Sequence, residues 1–128
     1  MLMIRNEQMA VFKSHLENRF KNRLAIHVYT HFPVKCQYFG EERVQAAIHN
    51  GVERAKVYGI VSERDIAKYV HLVFAFHEEF DCDPELPWAA RILKDETLVG
   101  PSTRMECLFQ EAKQHVPGLQ GAIASPSV

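Results

Sequence analysis

From Asn6 to Phe32, apolar residues recur at three- and four-residue steps: Met9, Phe12, Leu16, Phe20, Leu24, Val28 and Phe32. That spacing predicts one amphipathic helix with a single apolar stripe. Lys13, Glu17, Arg19, Lys21 and Arg23 fill its outer face. The run is long for a globular helix, which suggests a bend or break near Asn18–Asn22. Pro33 should end it, because a residue before proline is pushed out of the helical region. PVKCQYFG then reads as a connector.

A second helix is predicted from Glu41 to Tyr58, with Val44, Ile48, Gly51, Ala55 and Tyr58 on one face. Gly51 falls inside that stripe, where the missing side chain would admit a neighbouring helix. Gly59 suits a left-handed helix stop. Ser62-x-x-Asp65 resembles a capping box and should start the third helix. Ile66, Tyr69, Val70, Val73, Phe74 and His77 share its face, and Leu72, Ala75 and Phe76 broaden it. A helix apolar over most of its circumference is buried on several sides. Ser62–Glu79 is therefore expected at the centre of the fold.

HEEFDCDPELPW reads as a loop by its acids and prolines. Pro87 suits the first turn of a short helix, Trp88–Lys94, which should carry Trp88 inward. DETLVGPS is a second loop. Ser102–His115 forms the last helix, with Met105, Leu108, Phe109 and Ala112 facing the core. Pro117 and Gly118 end it, and residues 117–128 are read as a mobile tail. No stretch alternates with period two. The expected fold is all-α: a single-domain bundle of about five helices over residues 1–116, with a central buried helix.

Composition narrows the function classes. With 128 residues, one domain with a sizeable core is expected. Fifteen Lys and Arg against sixteen Asp and Glu leave a net charge of −1, which argues against a nucleic-acid binder. The three cysteines, Cys36, Cys82 and Cys107, are widely spaced and contain no C-x-x-C pair, as expected of a chain in a reducing cytoplasm. Neither a signal peptide nor a membrane-spanning run is recognisable, so a cytoplasmic protein without a membrane partner is expected.

Candidate chemistry is sparse. His27 and His31 stand four apart on a helix, the spacing at which two imidazoles can share a metal. No third ligand lies nearby in sequence, so paired histidines at a helix end are preferred and no metal or other cofactor is assigned. Asp81-x-Asp83-x-Glu85 imitates the first ligands of a calcium loop. The imitation fails at Leu86, where glycine belongs, and at Ile92, where glutamate belongs. Glu78 and Glu79 point about 100° apart if helical and cannot flank one substrate atom. No nucleophile elbow, phosphate loop or dinucleotide fingerprint is present. No catalytic residue is therefore assigned, and an enzyme is not expected. What remains is an acidic and aromatic edge: Glu78, Glu79, Phe80, Asp81, Asp83, Glu85, Leu86 and Trp88, fit to meet a basic, aromatic-accepting protein partner.

Four motifs stand along the chain: H-F-P at His31, G-V-E-R-A-x-x-Y-G-I-x-S-E-R-D-I-A-x-Y-V from Gly51, F-D-x-D-P-x-L-P-W-A from Phe80, and R-M-E-x-L from Arg104. In these the chain resembles small bacterial helical proteins encoded beside type VI secretion effector, PAAR and VgrG genes. His77-Glu78-Glu79 departs from the pattern, which would place a glycine-containing step before Phe80. The resemblance implies a genomic setting and no catalytic motif. Together these readings predict a non-catalytic protein-binding accessory factor, an adaptor or chaperone for a secreted effector. The alternatives are an immunity protein that neutralises a cognate toxin, with Glu78–Glu85 as its acidic plug, and a small hydrolase or metal-dependent enzyme around His27, His31 and His77. A chaperone should offer an apolar groove, with Phe74, Phe76, Phe80 and Trp88 as candidates.

Overall fold

The computed structural model describes residues 6–115, with side chains from residue 14 onward. Six α-helices account for nearly all of it: α1 Asn6–His31, α2 Pro33–Phe39, α3 Glu41–Val57, α4 Glu63–Ala75, α5 Pro87–Leu93 and α6 Pro101–His115. A 3-10 turn, Phe80–Cys82, lies between α4 and α5. The all-α expectation holds, with one helix more than anticipated, and no strand occurs among the described residues.

The extra helix comes from Pro33. Phe32 leaves the helical region at φ −131° and ψ 54°, so α1 ends as predicted. Proline at the first position of a new helix is also favourable, because its missing N–H would have no partner there. The stretch read as a connector is therefore α2, and it buries Cys36. Gly40, at φ 85°, turns the chain between α2 and α3.

α1 runs without the anticipated break near Asn18–Asn22. Its apolar stripe is real at Phe20, Leu24 and Val28, all buried, but Leu16 is 44 % exposed. Met9 and Phe12 fall among the side chains outside the description, as does the tail after His115.

α4 is the centre, as its composition predicted. Nine of its residues, among them Asp65, Tyr69 and His71, are buried. Gly51 gives α3 its close approach: a Cβ there would stand 3.3 Å from Val70 Cγ2 and 3.6 Å from Val73 Cγ2. Ser62 caps α4 by accepting from the Asp65 N–H at 3.2 Å. The second half of the predicted capping box differs. Asp65 does not reach back to the backbone; its Oδ2 accepts from Ser62 Oγ at 2.9 Å and from Ser102 Oγ at 2.6 Å. One carboxylate thus joins the starts of α4 and α6.

α4 stops at Ala75, a turn earlier than the expected Glu79. Lys35 of α2 caps this end: its ammonium donates to the carbonyls of Phe74 at 2.6 Å and Ala75 at 3.2 Å. A cation on the last carbonyls of a helix satisfies groups with no intrahelical partner and complements the dipole.

Candidate functional site

The loop after α4 is organised by three polar side chains. His77 Nε2 donates to Asp83 Oδ2 at 2.6 Å, while its Nδ1 accepts from the Glu79 N–H at 3.1 Å. Asp83 Oδ1 accepts from the Glu85 N–H at 2.8 Å. These bonds, the backbone N–H of Glu85 first and His77 second, hold the Asp83 carboxyl below the usual carboxylate range.

Asp81 is spent differently. It is 1 % exposed, and its Oδ2 accepts from Arg54 Nε and from Tyr58 OH, both at 2.6 Å. The carboxylate supports the Arg54 charge and raises that group's pKa. Burial, followed by the bond to Asp81, pushes the Tyr58 phenol up to about 12. Asp81 Oδ1 and the buried Tyr69 OH have no protein partner. Two of the three carboxylates that imitated a calcium loop are thus committed to internal bonds.

The eight residues of the expected edge therefore separate. Phe80, Asp81 and Trp88 are buried and belong to the scaffold. Phe76 packs between the two aromatics, its ring centroid 6.3 Å from Phe80 and 5.5 Å from Trp88, and His115 stacks on Trp88 at 4.9 Å. Leu86 and Asp83 are half-buried, whereas Glu78, Glu79 and Glu85 are exposed. None of these three glutamates forms an ion pair among the described residues. The exposed part of the edge reduces to carboxylates on a pinned loop. Of the groove expected from Phe74, Phe76, Phe80 and Trp88, only Phe76 is half-buried; the other three are buried in the core.

Glu78 and Glu79 form a ridge shared by two clefts. One cleft, of about 260 Å³, lies between α2, α3 and the end of α4; its apolar floor includes Phe39, Val73, Phe74 and Phe76, and Arg43 stands at its rim. The other, of about 330 Å³, is bordered by Asn50, Arg54 and Val57 of α3.

The histidines tell a separate story. His27 of α1 is buried, and its Nε2 lies 2.8 Å from Nδ1 of the buried His71 of α4. His31 packs beside both, with ring centroids 4.4 Å from His27 and 5.7 Å from His71. Burial first, and the neighbouring imidazoles second, lower His27 to about 4 and His71 to about 3. Both rings are neutral near pH 7, one donating to the other. Among the described residues no group of three His, Cys, Asp or Glu is placed to hold a metal ion. His77, the third member of the expected histidine site, does not join His27 and His31; it lies in the acidic loop, bonded to Asp83.

Sequence spacing did not reveal Arg54, Tyr58, His71, Lys35 or Arg43 as functional neighbours. His71 carried a signal all the same: a histidine inside a helix apolar all round needs a buried polar partner, and His27 was the candidate on α1.

Comparison with family models, with curated proteins and with solved structures finds no match for this chain. Among the described residues no helix is long and apolar enough to cross a membrane.

Proposed function

We propose that this chain is a non-catalytic protein-binding accessory factor whose contact surface is the glutamate ridge after α4. One observation carries the reading. Glu78, Glu79 and Glu85 stand exposed and free of ion pairs among the described residues, on a loop that His77, Asp81 and Asp83 hold in place. A fixed backbone removes the loop-ordering part of the entropy cost when a partner pairs with these charges, leaving the side-chain part. Electrostatic complementarity of this kind selects partners and speeds encounter.

The resemblance to proteins encoded beside type VI secretion effector genes supports a particular partner, a secreted effector for which this chain serves as adaptor or chaperone. The test is co-purification with the product of the adjacent effector gene. Glu78→Lys, Glu79→Lys and Glu85→Lys together should abolish capture without changing helicity. Capture that survives the triple reversal would overturn the ridge as the contact surface. Rescue of toxicity on co-expression would redirect the reading to immunity.

A further inference from the structure

Two hydrogen bonds on one imidazole fix its protonation. His77 Nδ1 accepts from the Glu79 N–H at 3.1 Å, so it carries no proton. Nε2 stands 2.6 Å from Asp83 Oδ2, an acceptor, so it carries one. Turning the ring over would lose both bonds, since carbon would then face each partner. The glutamate ridge is thus pinned by a neutral histidine in a single tautomer. That side chain is 47 % exposed, so a proton reaches it without opening the fold.

A second proton can enter the ring only at Nδ1, where it meets the Glu79 N–H. The imidazolium has two donors and no acceptor, so the bond from Glu79 is lost. The bond to Asp83 survives and gains charge assistance. Protonation therefore acts unequally on the loop: it frees Glu79 and keeps Asp83, whose other oxygen still accepts from the Glu85 N–H. The charged groups facing the ring are Asp83 across the loop, Glu78 and Glu79 on its own segment, and Lys35 of α2 and Arg43 of α3 in the cleft they line together. The carboxylates favour the imidazolium. The two cations oppose it, Lys35 while it holds the carbonyls of Phe74 and Ala75.

Resting on the protein-binding reading above, we propose that His77 is a pH-sensitive switch in the glutamate ridge: its protonation releases the Glu79 backbone, adds a positive charge beside Glu78 and Glu79, and weakens the hold on a basic partner. Histidine is the side chain that gains charge in mild acid. The ridge is therefore set at neutral pH and slackened below it.

The test is solvent-exchange NMR on the full chain alone, at about pH 8 and about pH 5.5, read as protection factors. In mild acid the Glu79 amide should lose about fivefold in protection, the factor one ordinary hydrogen bond supplies, while the Glu85 amide keeps its own. His77→Asn supplies the control. An asparagine oxygen accepts from the N–H two residues on and does not titrate, so this variant should protect Glu79 equally at both pH values. Circular dichroism over the same range separates the local change from acid unfolding at His27 and His71. Glu79 protection that is unchanged by pH in wild type, or that falls equally in His77→Asn, would overturn the proposal. Capture of a basic partner should fall between the two pH values for wild type and hold for His77→Asn; equal loss in both would also overturn it. The ridge itself is tested apart, at about pH 8 alone. Capture that survives reversal of Glu78, Glu79 and Glu85 there would sink the contact surface, whatever the Glu79 amide does.

Discussion

Arg54 Nε donates to Asp81 Oδ2 across 2.6 Å, tying the last turns of α3 to the 3-10 turn that follows α4. The carboxylate is buried while the arginine side chain is 41 % exposed, so the pair lies at the boundary between core and solvent. Removing Arg54 would leave a buried charge with only Tyr58 as partner. Arg54→Met should therefore destabilise the fold by about 2 kcal/mol, below the full cost of breaking a buried pair because the arginine is partly solvated. Tyr58→Phe should cost about 1–2 kcal/mol through one lost bond to a charged acceptor. Urea unfolding of the single and double variants reads both effects, and the double should depart from the sum if Arg54 and Tyr58 share Asp81.

The junction of α4 and α6 makes a second prediction. Ser62→Ala removes a helix cap and should lower stability by about 1 kcal/mol. Asp65→Ala should cost more, since Asp65 Oδ2 accepts from both Ser62 and Ser102. The unfolding midpoints rank the two; Asp65→Ala no worse than Ser62→Ala would mean that the link to Ser102 contributes nothing.

Gly51 separates helix propensity from packing. Alanine would gain about 1 kcal/mol in propensity but bring its Cβ to 3.3 Å from Val70 Cγ2. The two effects should leave Gly51→Ala within about 1 kcal/mol of wild type. Gly51→Leu has no such escape and should cost about 3 kcal/mol by forcing α3 from α4. Thermal unfolding of the two variants distinguishes a packing glycine from an incidental one.

The His27–His71 pair makes stability depend on pH. Both groups titrate lower in the fold, at about 4 and about 3, than the 6.5 of a free imidazole. The unfolded chain therefore binds protons first as pH falls. Full stability should be present above about pH 6.5 and lost progressively from there toward about 4, at ~1.4 kcal/mol for each unit of separation traversed by one group. Replacing both histidines with leucine should flatten the profile between pH 6.5 and 4.5, measured by urea unfolding against wild type. An unchanged slope would mean that the pair is not what the acid attacks.

Most of the helices were legible because their signals are local. Ser62, Gly59 and Pro87 mark boundaries by backbone chemistry, and the stripe Phe20–Leu24–Val28 records a buried face directly. α2 was not legible, since Pro33 is equally suited to ending one helix and starting the next. The end of α4 was hidden for a different reason: its last carbonyls are met by Lys35, from another helix. The acidic stretch was legible as acidic and not as divided. Whether Asp81 faces a partner or the core depends on Arg54 and Tyr58, which are distant in sequence and meet it only in the fold. His27 similarly found its partner on α4 rather than in the nearby His31.

The most direct test is amide hydrogen exchange on the chain alone and in complex with the partner that co-purification yields. New protection is expected in residues 73–85, which carry the glutamate ridge, with α6 unchanged. Protection confined to α1 or α6, leaving residues 77–85 exchanging as in the free protein, would contradict it.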